Sequence, residues 1–326
     1  TPLVMFAVGA SPSVCQCFMT GREHHLLPLL RGTLYLPYAT ALRMGRFGYQ
    51  NSAQKQLGIH YNNLNDYLDG LQKAVKTPYA PFTRLGLKNA QGEPIQINDH
   101  VLQIENEYYS LVRPKQVPQD GETPSEALKN RGVSYVELRA VDVNPYSSIG
   151  IDENTAGFLE ALALYCLLKD SPNLYDDEQE VIEKNQAEVV NRGRAPNAEM
   201  LENGEKHFIE DWCRHYLTEL QPMGALLDSA YQTELYRNAL ETMLKRVNDV
   251  DTTLSAKMIE DTLALGGTWS FGSHMAQLHV AEYEQHQLSA EKWAYFDDIA
   301  QQSLKRQQQL EQDNQISFEQ YLTHFR

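Results

Sequence analysis

After Asp152 the chain is written almost entirely in helical periodicity, and strand-like alternation is confined to the residues before it. Strands gathered in one half and helices in the other describe an α+β protein. Phe158 to Leu168 is apolar almost all round, which predicts a buried helix stopped at Ser171-Pro172. Further helices are expected over Asp177–Asn191, Glu205–Leu220, Leu226–Val247, Thr253–Leu265 and His274–Gln312. The Gln- and Glu-rich stretch Gln301–Gln315 reads as a solvated helical face. Residues 1–150 hold the strands and loops and residues 151–326 the helices. No clean linker separates them, so one compact unit is expected.

In the first half, Leu64, Tyr67, Leu68, Leu71 and Val75 fall at helical spacing, ended by Thr77-Pro78. Gly86 to Pro94 reads as a turn and hairpin around Gly92. Val101–Tyr109 alternates as a strand, with Leu102, Ile104 and Tyr108 on one side and Gln103, Glu105, Glu107 and Tyr109 on the other. Val133–Val141 alternates too, placing Tyr135, Glu137 and Arg139 together with Val136, Leu138 and Ala140 opposite, Val136 and Leu138 entering the core. Between them lies a loop, Val117–Thr123, then a short helix capped by Ser125 and ended by Gly132. Gly266-Gly267 before Thr268 reads as a helix C-cap and turn.

Charge limits the partners. The chain carries 28 Lys and Arg against 43 Asp and Glu, a net charge of -15, which repels a phosphate backbone. Nucleic acid is therefore not an expected partner, whereas ATP remains compatible through a few Arg in a cleft. Four cysteines, Cys15, Cys17, Cys166 and Cys213, are too sparse for a disulfide scaffold. Cys15-Gln16-Cys17 is too tight for the usual zinc spacing, so reduced thiols in the cytoplasm are expected. Thr1 to Ala10 is apolar but too short to cross a bilayer, and no basic residue precedes it. It reads as an element begun further upstream, part of an open interface; no membrane partner is expected.

The chemistry-bearing residues lie before Asp152. Neither GxxxxGK[ST] nor GxGxxG occurs, so any ATP site must rely on side chains and metal. Glu137 and Arg139 on one strand face suit a carboxylate that holds Mg²⁺ beside a guanidinium facing a phosphoryl group. From the pattern alone an ion pair on an exposed sheet face is the favoured reading. Glu105 and Glu107 repel one another unless metal, Arg or water compensates. Arg113 and Lys115, either side of Pro114, make a basic spot. Leu36 to Arg43 leads into Gly48-Tyr49-Gln50-Asn51, where Arg43 would grip a carboxylate and tyrosines would wall a small zwitterion. Tyrosines packing at a surface are the alternative.

Taken in order, these pieces resemble the glutamate–cysteine ligases of the proteobacterial type. The matching stretches are Gly9-Ala10-Ser11-Pro12, Leu36 to Arg43, Gly48 to Asn51, Leu102 to Glu107, Arg113-Pro114-Lys115, Gly121 to Ser125, Tyr135 to Arg139 and Asp142-Val143-Asn144-Pro145. The similarity is dense from Gly9 to Leu168, with an echo at Gly266-Gly267-Thr268. Ser110-Leu111 and Ser148 depart from the family's usual residues.

The resemblance implies ATP-dependent ligation of glutamate, through its γ-carboxylate, to cysteine, the first step of glutathione biosynthesis. It implies Glu137 as a Mg²⁺ ligand in a site of more than one ion, and Arg139, with Arg113 and Lys115, toward the ATP phosphates. Arg43, Tyr49 and Tyr109 would line the cysteine subsite. The implied fold is glutamine-synthetase-like, an antiparallel curved sheet, incomplete here, with a large helical C-terminal portion. The family's N-terminal segment supplies further carboxylates, so this chain is read as the C-terminal part, inactive alone. The rival expectations are another carboxylate–amine ligase of the same fold, or a non-catalytic helical interaction module.

Overall fold

The computed structural model describes residues 2–45, 57–119 and 121–325. They group into two units, residues 1–70 with 109–279 and residues 71–108 with 280–326. The change of composition near residue 150 falls inside the first unit.

In chain order the elements begin with α1 (Pro2–Val8), β1 (Ser13–Cys15), β2 (Leu27–Leu30), β3 (Thr33–Tyr35), α2 (Leu64–Ala74) and α3 (Ala80–Leu85). Then come β4 (Val112–Lys115), α4 (Pro124–Arg131), β5 (Tyr135–Leu138), α5 (Glu153–Leu168), α6 (Asp176–Arg192), β6 (Glu199–Glu202) and β7 (Glu205–Phe208). The rest is helical: α7 (Ile209–Tyr231), α8 (Leu235–Asn248), α9 (Leu254–Ala264), α10 (Thr268–Gln285), α11 (Ala290–Asp313) and α12 (Phe318–Phe325). Among the described residues these strands pair antiparallel, in the sheets β1-β3-β2, β4-β5 and β6-β7. No described helix is long and apolar enough to cross a membrane.

The first unit is built on α5, α7 and α8, which pack on one another. Small residues set the approach. A Cβ on Gly224 of α7 would come 2.8 Å from Leu240 of α8, and one on Gly157 of α5 would come 3.2 Å from Leu235. The apolar start of the chain belongs to this core. Leu3 to Val8 of α1 are buried on every side, against α6 and α8, and Arg246 of α8 donates to the Ala7 carbonyl at 2.7 Å. The run is thus no open interface: a helix apolar all round has no face to leave in water.

Several expectations are corrected. Residues 205–208 form a strand, not a helix, because Asn203-Gly204 adopts left-handed conformations (φ 52 and 80) and turns β6 into β7. The helix expected over Leu226–Val247 breaks at Gln232 (φ 55), where the Asp228 carboxylate accepts the amides of Tyr236 and Arg237. The long C-terminal helix divides before Ser289, whose hydroxyl caps α11. In α5 only the first half is enclosed; Leu167 and Leu168 are exposed. The cap of α4 is Thr123, with Glu126 completing a capping box, rather than Ser125.

In the second unit Val101–Tyr108 is not a strand. The Glu107 carboxylate accepts the Gln103 amide at 2.6 Å, and the Gln103 side chain accepts the Ile97 amide at 2.9 Å. The first bond takes an amide that a ladder would have needed, and Glu105–Glu107 closes into a 3-10 turn. Glu105 and Glu107 therefore share no strand face with Tyr109. The Gly86–Pro94 hairpin is present, bridged between Lys88 and Pro94 with Gly92 at φ 83. No residue of α11 is buried, in keeping with a solvated face.

Candidate active site

The site is organised by the β4–β5 ribbon. Its register sets Arg113 opposite Glu137 and Lys115 opposite Tyr135, so these side chains share one face. Pro114 is accommodated because the ribbon has only two strands. Glu137 Oε1 lies 3.1 Å from Arg139 Nε, and Oε2 lies 3.3 Å from Lys115 Nζ. The second contact is close enough for charge pairing but not aligned as a hydrogen bond, so Oε2 is buried with no hydrogen-bond partner among the described residues. Arg113 is buried beside them. Three cations thus gather round one carboxylate, an arrangement that favours an anion.

The expected core face of this strand is overturned. Val136 and Leu138 are exposed, while Glu137 and Arg139 are half-buried. A two-stranded ribbon buries one face, and here the charged face turns toward Tyr109, whose ring centre is 5.5 Å from the Arg139 guanidinium carbon. The Tyr109 hydroxyl in turn meets Met44 Sδ at 3.8 Å, next to the exposed Arg43. Arg139, Glu137, Arg113, Lys115 and Tyr109 are therefore brought together, with Arg43 one residue from this chain of contacts. Tyr49, with the rest of Gly48 to Asn51, lies outside the described residues.

Two positioning residues have no role in the reading of the sequence. Asp142, just past β5, is buried; its Oδ2 accepts the Ala10 amide at 2.9 Å and its Oδ1 has no hydrogen-bond partner. Burial raises its pKa above the ordinary carboxyl value, and the Ala10 amide and then the Arg43 charge oppose that rise. Arg194, after α6, is buried and has no ion pair among the described residues; its guanidinium donates to Pro37 O at 2.6 Å and Ala39 O at 3.4 Å. It clamps the loop that carries Arg43. In sequence Asp142 stands in the matching stretch Asp142-Val143-Asn144-Pro145 with no role attached, and Arg194 shows only as an Arg closing Asn191-Arg192-Gly193-Arg194.

The Gly266-Gly267-Thr268 turn also reaches the sheet. The Thr268 amide donates to Thr33 Oγ1 at 3.1 Å, and Thr268 Oγ1 donates to Ser13 Oγ at 3.4 Å. A Cβ on Gly267 would stand 3.0 Å from Thr33 Oγ1, so glycine permits the approach.

Compared with known proteins, residues 1–189 match the glutamate-cysteine ligase family model. The chain belongs to the glutamate–cysteine ligase family. The glutamate–cysteine ligase of Pseudomonas fluorescens Pf-5 is 41% identical over 318 residues, covering 97% of this chain and 60% of that protein. That of Azotobacter vinelandii is 40% identical over 321 residues, 98% of this chain and 60% of that protein. The crystal structure of the Francisella tularensis glutamate–cysteine ligase in complex with AMP superposes with a TM-score of 0.91 at 32% identity, over 99% of this chain and 64% of that one. A bifunctional glutathione synthetase from Pasteurella multocida shares the fold at a TM-score of 0.55 and 18% identity. The chain thus spans 60% of the length of the curated glutamate–cysteine ligases it matches.

Proposed function

We propose that this chain serves ATP-dependent ligation of glutamate to cysteine in the cytoplasm. The observation that carries the reading is the cluster of Arg113, Lys115 and Arg139 round Glu137, in a chain of this family. The γ-carboxylate of glutamate attacks the γ-phosphorus of ATP, giving γ-glutamyl phosphate and ADP. The cysteine amine then attacks the acyl carbon; the C–N bond forms as phosphate leaves and the amine loses a proton. Arg139, held over Tyr109, faces the oxygens of the transferred phosphoryl group, and Arg113 and Lys115 hold the nucleotide phosphates. Arg43 grips the cysteine carboxylate at two points, with Tyr109 and Tyr49 as walls.

Glu137 offers Mg²⁺ one oxygen, Oε2, that no hydrogen bond occupies. Among the described residues no group of three or more His, Cys, Asp or Glu is placed to hold a metal, and a hard divalent cation takes about six oxygens. Glu137 thus fits as one ligand of a site completed by groups outside the described residues, including an N-terminal segment of the same enzyme. Bound there, Mg²⁺ would draw charge from the phosphates. The β1-β3-β2 sheet and the β4–β5 ribbon are read as parts of a glutamine-synthetase-like curved sheet.

The test supplies ATP, Mg²⁺, glutamate and an acceptor to the 326-residue chain, alone and together with the remaining length of a curated relative. γ-Glutamylcysteine detected by mass spectrometry in the second mixture supports the reading. Equal use of ammonia and cysteine would assign another carboxylate–amine ligation, and turnover by the chain alone would show that the site needs no further carboxylates.

A further inference from the structure

The connection between the two strands of the site ribbon, residues 116–134, carries an ion pair that the ligase reading leaves without a role. The Glu122 side chain is 12% exposed and takes both ends of the Arg131 guanidinium. Nη1 donates to Oε1 at 3.0 Å and Nη2 to Oε2 at 2.6 Å. The same Nη2 donates to Val117 O at 2.9 Å, while Glu122 also accepts from the Asn130 side chain at 3.2 Å and the Gln119 amide at 2.9 Å. This fork fastens the last residue of α4 to the segment that leaves β4. A guanidinium that meets a carboxylate at two points fixes orientation as well as distance. Arg131, then the Gln119 amide, hold the Glu122 carboxyl down to about 2, so the pair stays charged at neutral pH.

Both strand ends are tied to the same place. The Gln116 side chain donates to Gly132 O at 3.1 Å, and the Ser134 amide donates to Lys115 O at 2.8 Å. Between these ties α4 lies against β4 and buries Ala127 and Leu128.

The ribbon needs such a tie. Strand register is set firmly where an apolar face is buried and weakly where it is not. Val136 and Leu138, the apolar residues of one β5 face, are exposed, and two strands paired alone are marginal. A slip of one residue would turn Arg113 and Lys115 to the face away from Glu137. The strands are joined through α4 rather than by a tight turn, so fixing the register falls to the connection.

We propose that Glu122 and Arg131 are positioning residues of the ligase site, a fork that locks β4 in register with β5 and so places Arg113 and Lys115 beside Glu137. Neither residue touches substrate; each acts through the strand it holds. The consequence for the nucleotide rests on the assignment of Arg113 and Lys115 to the ATP phosphates. The consequence for register does not.

Val112 stands opposite Leu138, and Pro114 opposite Val136. Register is therefore read by cross-linking in the 326-residue chain. Val112→Cys with Leu138→Cys makes the in-register pair, and Pro114→Cys with Leu138→Cys a pair displaced by two residues. Linked peptides are quantified by mass spectrometry after limited oxidation. The first pair should link faster than the second, and Glu122→Gln should cut that ratio at least about fivefold. Arg131→Lys, which keeps the charge but not the two-point grip, should cut it too. Thr123→Ala removes the α4 cap and leaves the fork; it should lower the melting temperature with the ratio unchanged. In an active ligase carrying this chain, Glu122→Gln should raise KM for ATP about tenfold, while KM for cysteine stays within about twofold. A ratio unmoved by Glu122→Gln would overturn the proposal, as would an equal fall with Thr123→Ala. A ratio that falls while KM for ATP holds would uphold the lock and remove Arg113 and Lys115 from the nucleotide instead.

Discussion

Arg113 and Glu137 stand directly opposite each other in the antiparallel pairing of β4 with β5. The pairing fixes their spacing by the backbone, so the charges that surround Glu137 do not depend on a mobile loop. Lys115 reaches Glu137 from the same strand as Arg113, and Arg139 from the far side along β5 and its exit. One carboxylate among three cations leaves the face electropositive on a chain whose net charge is -15. An anionic substrate is drawn there against the sign of the whole molecule, a consequence of local field rather than total charge.

Glu137→Gln should lower turnover at least about a hundredfold in an active ligase carrying this chain, the scale of removing one electrostatic contact from a transition state. The side chain is 32% exposed, so the fold should survive with a stability change within about 1 kcal/mol. Turnover against Mg²⁺ concentration, with far-ultraviolet circular dichroism, separates the two. Near-normal turnover at limiting Mg²⁺ would remove Glu137 from the metal site.

Arg43→Lys keeps the charge and loses the planar fork. One charged hydrogen bond is worth about 1.5 kcal/mol or more, so KM for cysteine should rise about tenfold. KM for ATP should move much less. An equal rise for both substrates, or one for ATP alone, would place Arg43 elsewhere.

Of the ribbon, β5 is legible in sequence because period-two alternation is local and puts Glu137 and Arg139 on one face, whereas β4 over Arg113-Pro114-Lys115 reads only as a basic spot. Which face is covered is a tertiary fact, and that is why Val136 and Leu138 were assigned to the core and stand exposed. Val101–Tyr109 alternates as cleanly, yet Glu107 takes the Gln103 amide and the Gln103 side chain turns back to the Ile97 amide. Asn203-Gly204 was a readable hairpin turn, masked by the helical pattern that follows. Asp142 acts through the Ala10 amide and Arg194 through the Pro37 carbonyl, both far along the chain, which no local pattern carries.

Asp142→Asn should change the pH dependence of stability. The carboxyl is buried and its folded pKa lies above the ordinary value of 3.8. Above that value the unfolded chain releases the proton while the folded chain retains it. The group's contribution is therefore full below about pH 3.8 and is lost as pH rises through the folded pKa. Asparagine has no proton to release, so the difference in melting temperature between variant and wild type should move in favour of the variant as pH rises from 4 toward neutrality. A difference independent of pH would mean that Asp142 titrates alike in both states. Because Asp142 holds the Ala10 amide and feels the Arg43 charge, KM for cysteine should rise with kcat little changed.

Gly9→Ala tests the junction that joins the buried first helix to the substrate loop. Gly9 closes α1 through its amide on Met5 O, and Thr40 is held from the other side by Val190 O and Val189 O. A Cβ on Gly9 would lie 2.3 Å from Thr40 O and 2.4 Å from Met5 O, both backbone atoms that no rotamer change can move. Either α1 or the loop at Thr40 must shift. Overpacking of this kind costs about 1–3 kcal/mol, and the denaturant midpoint should fall accordingly with the slope unchanged. If the loop is what yields, Arg43, three residues on, moves with it. KM for cysteine should then rise while nucleotide affinity at the β4–β5 ribbon holds. A midpoint equal to that of the wild type would show that Gly9 has room the structure does not grant it.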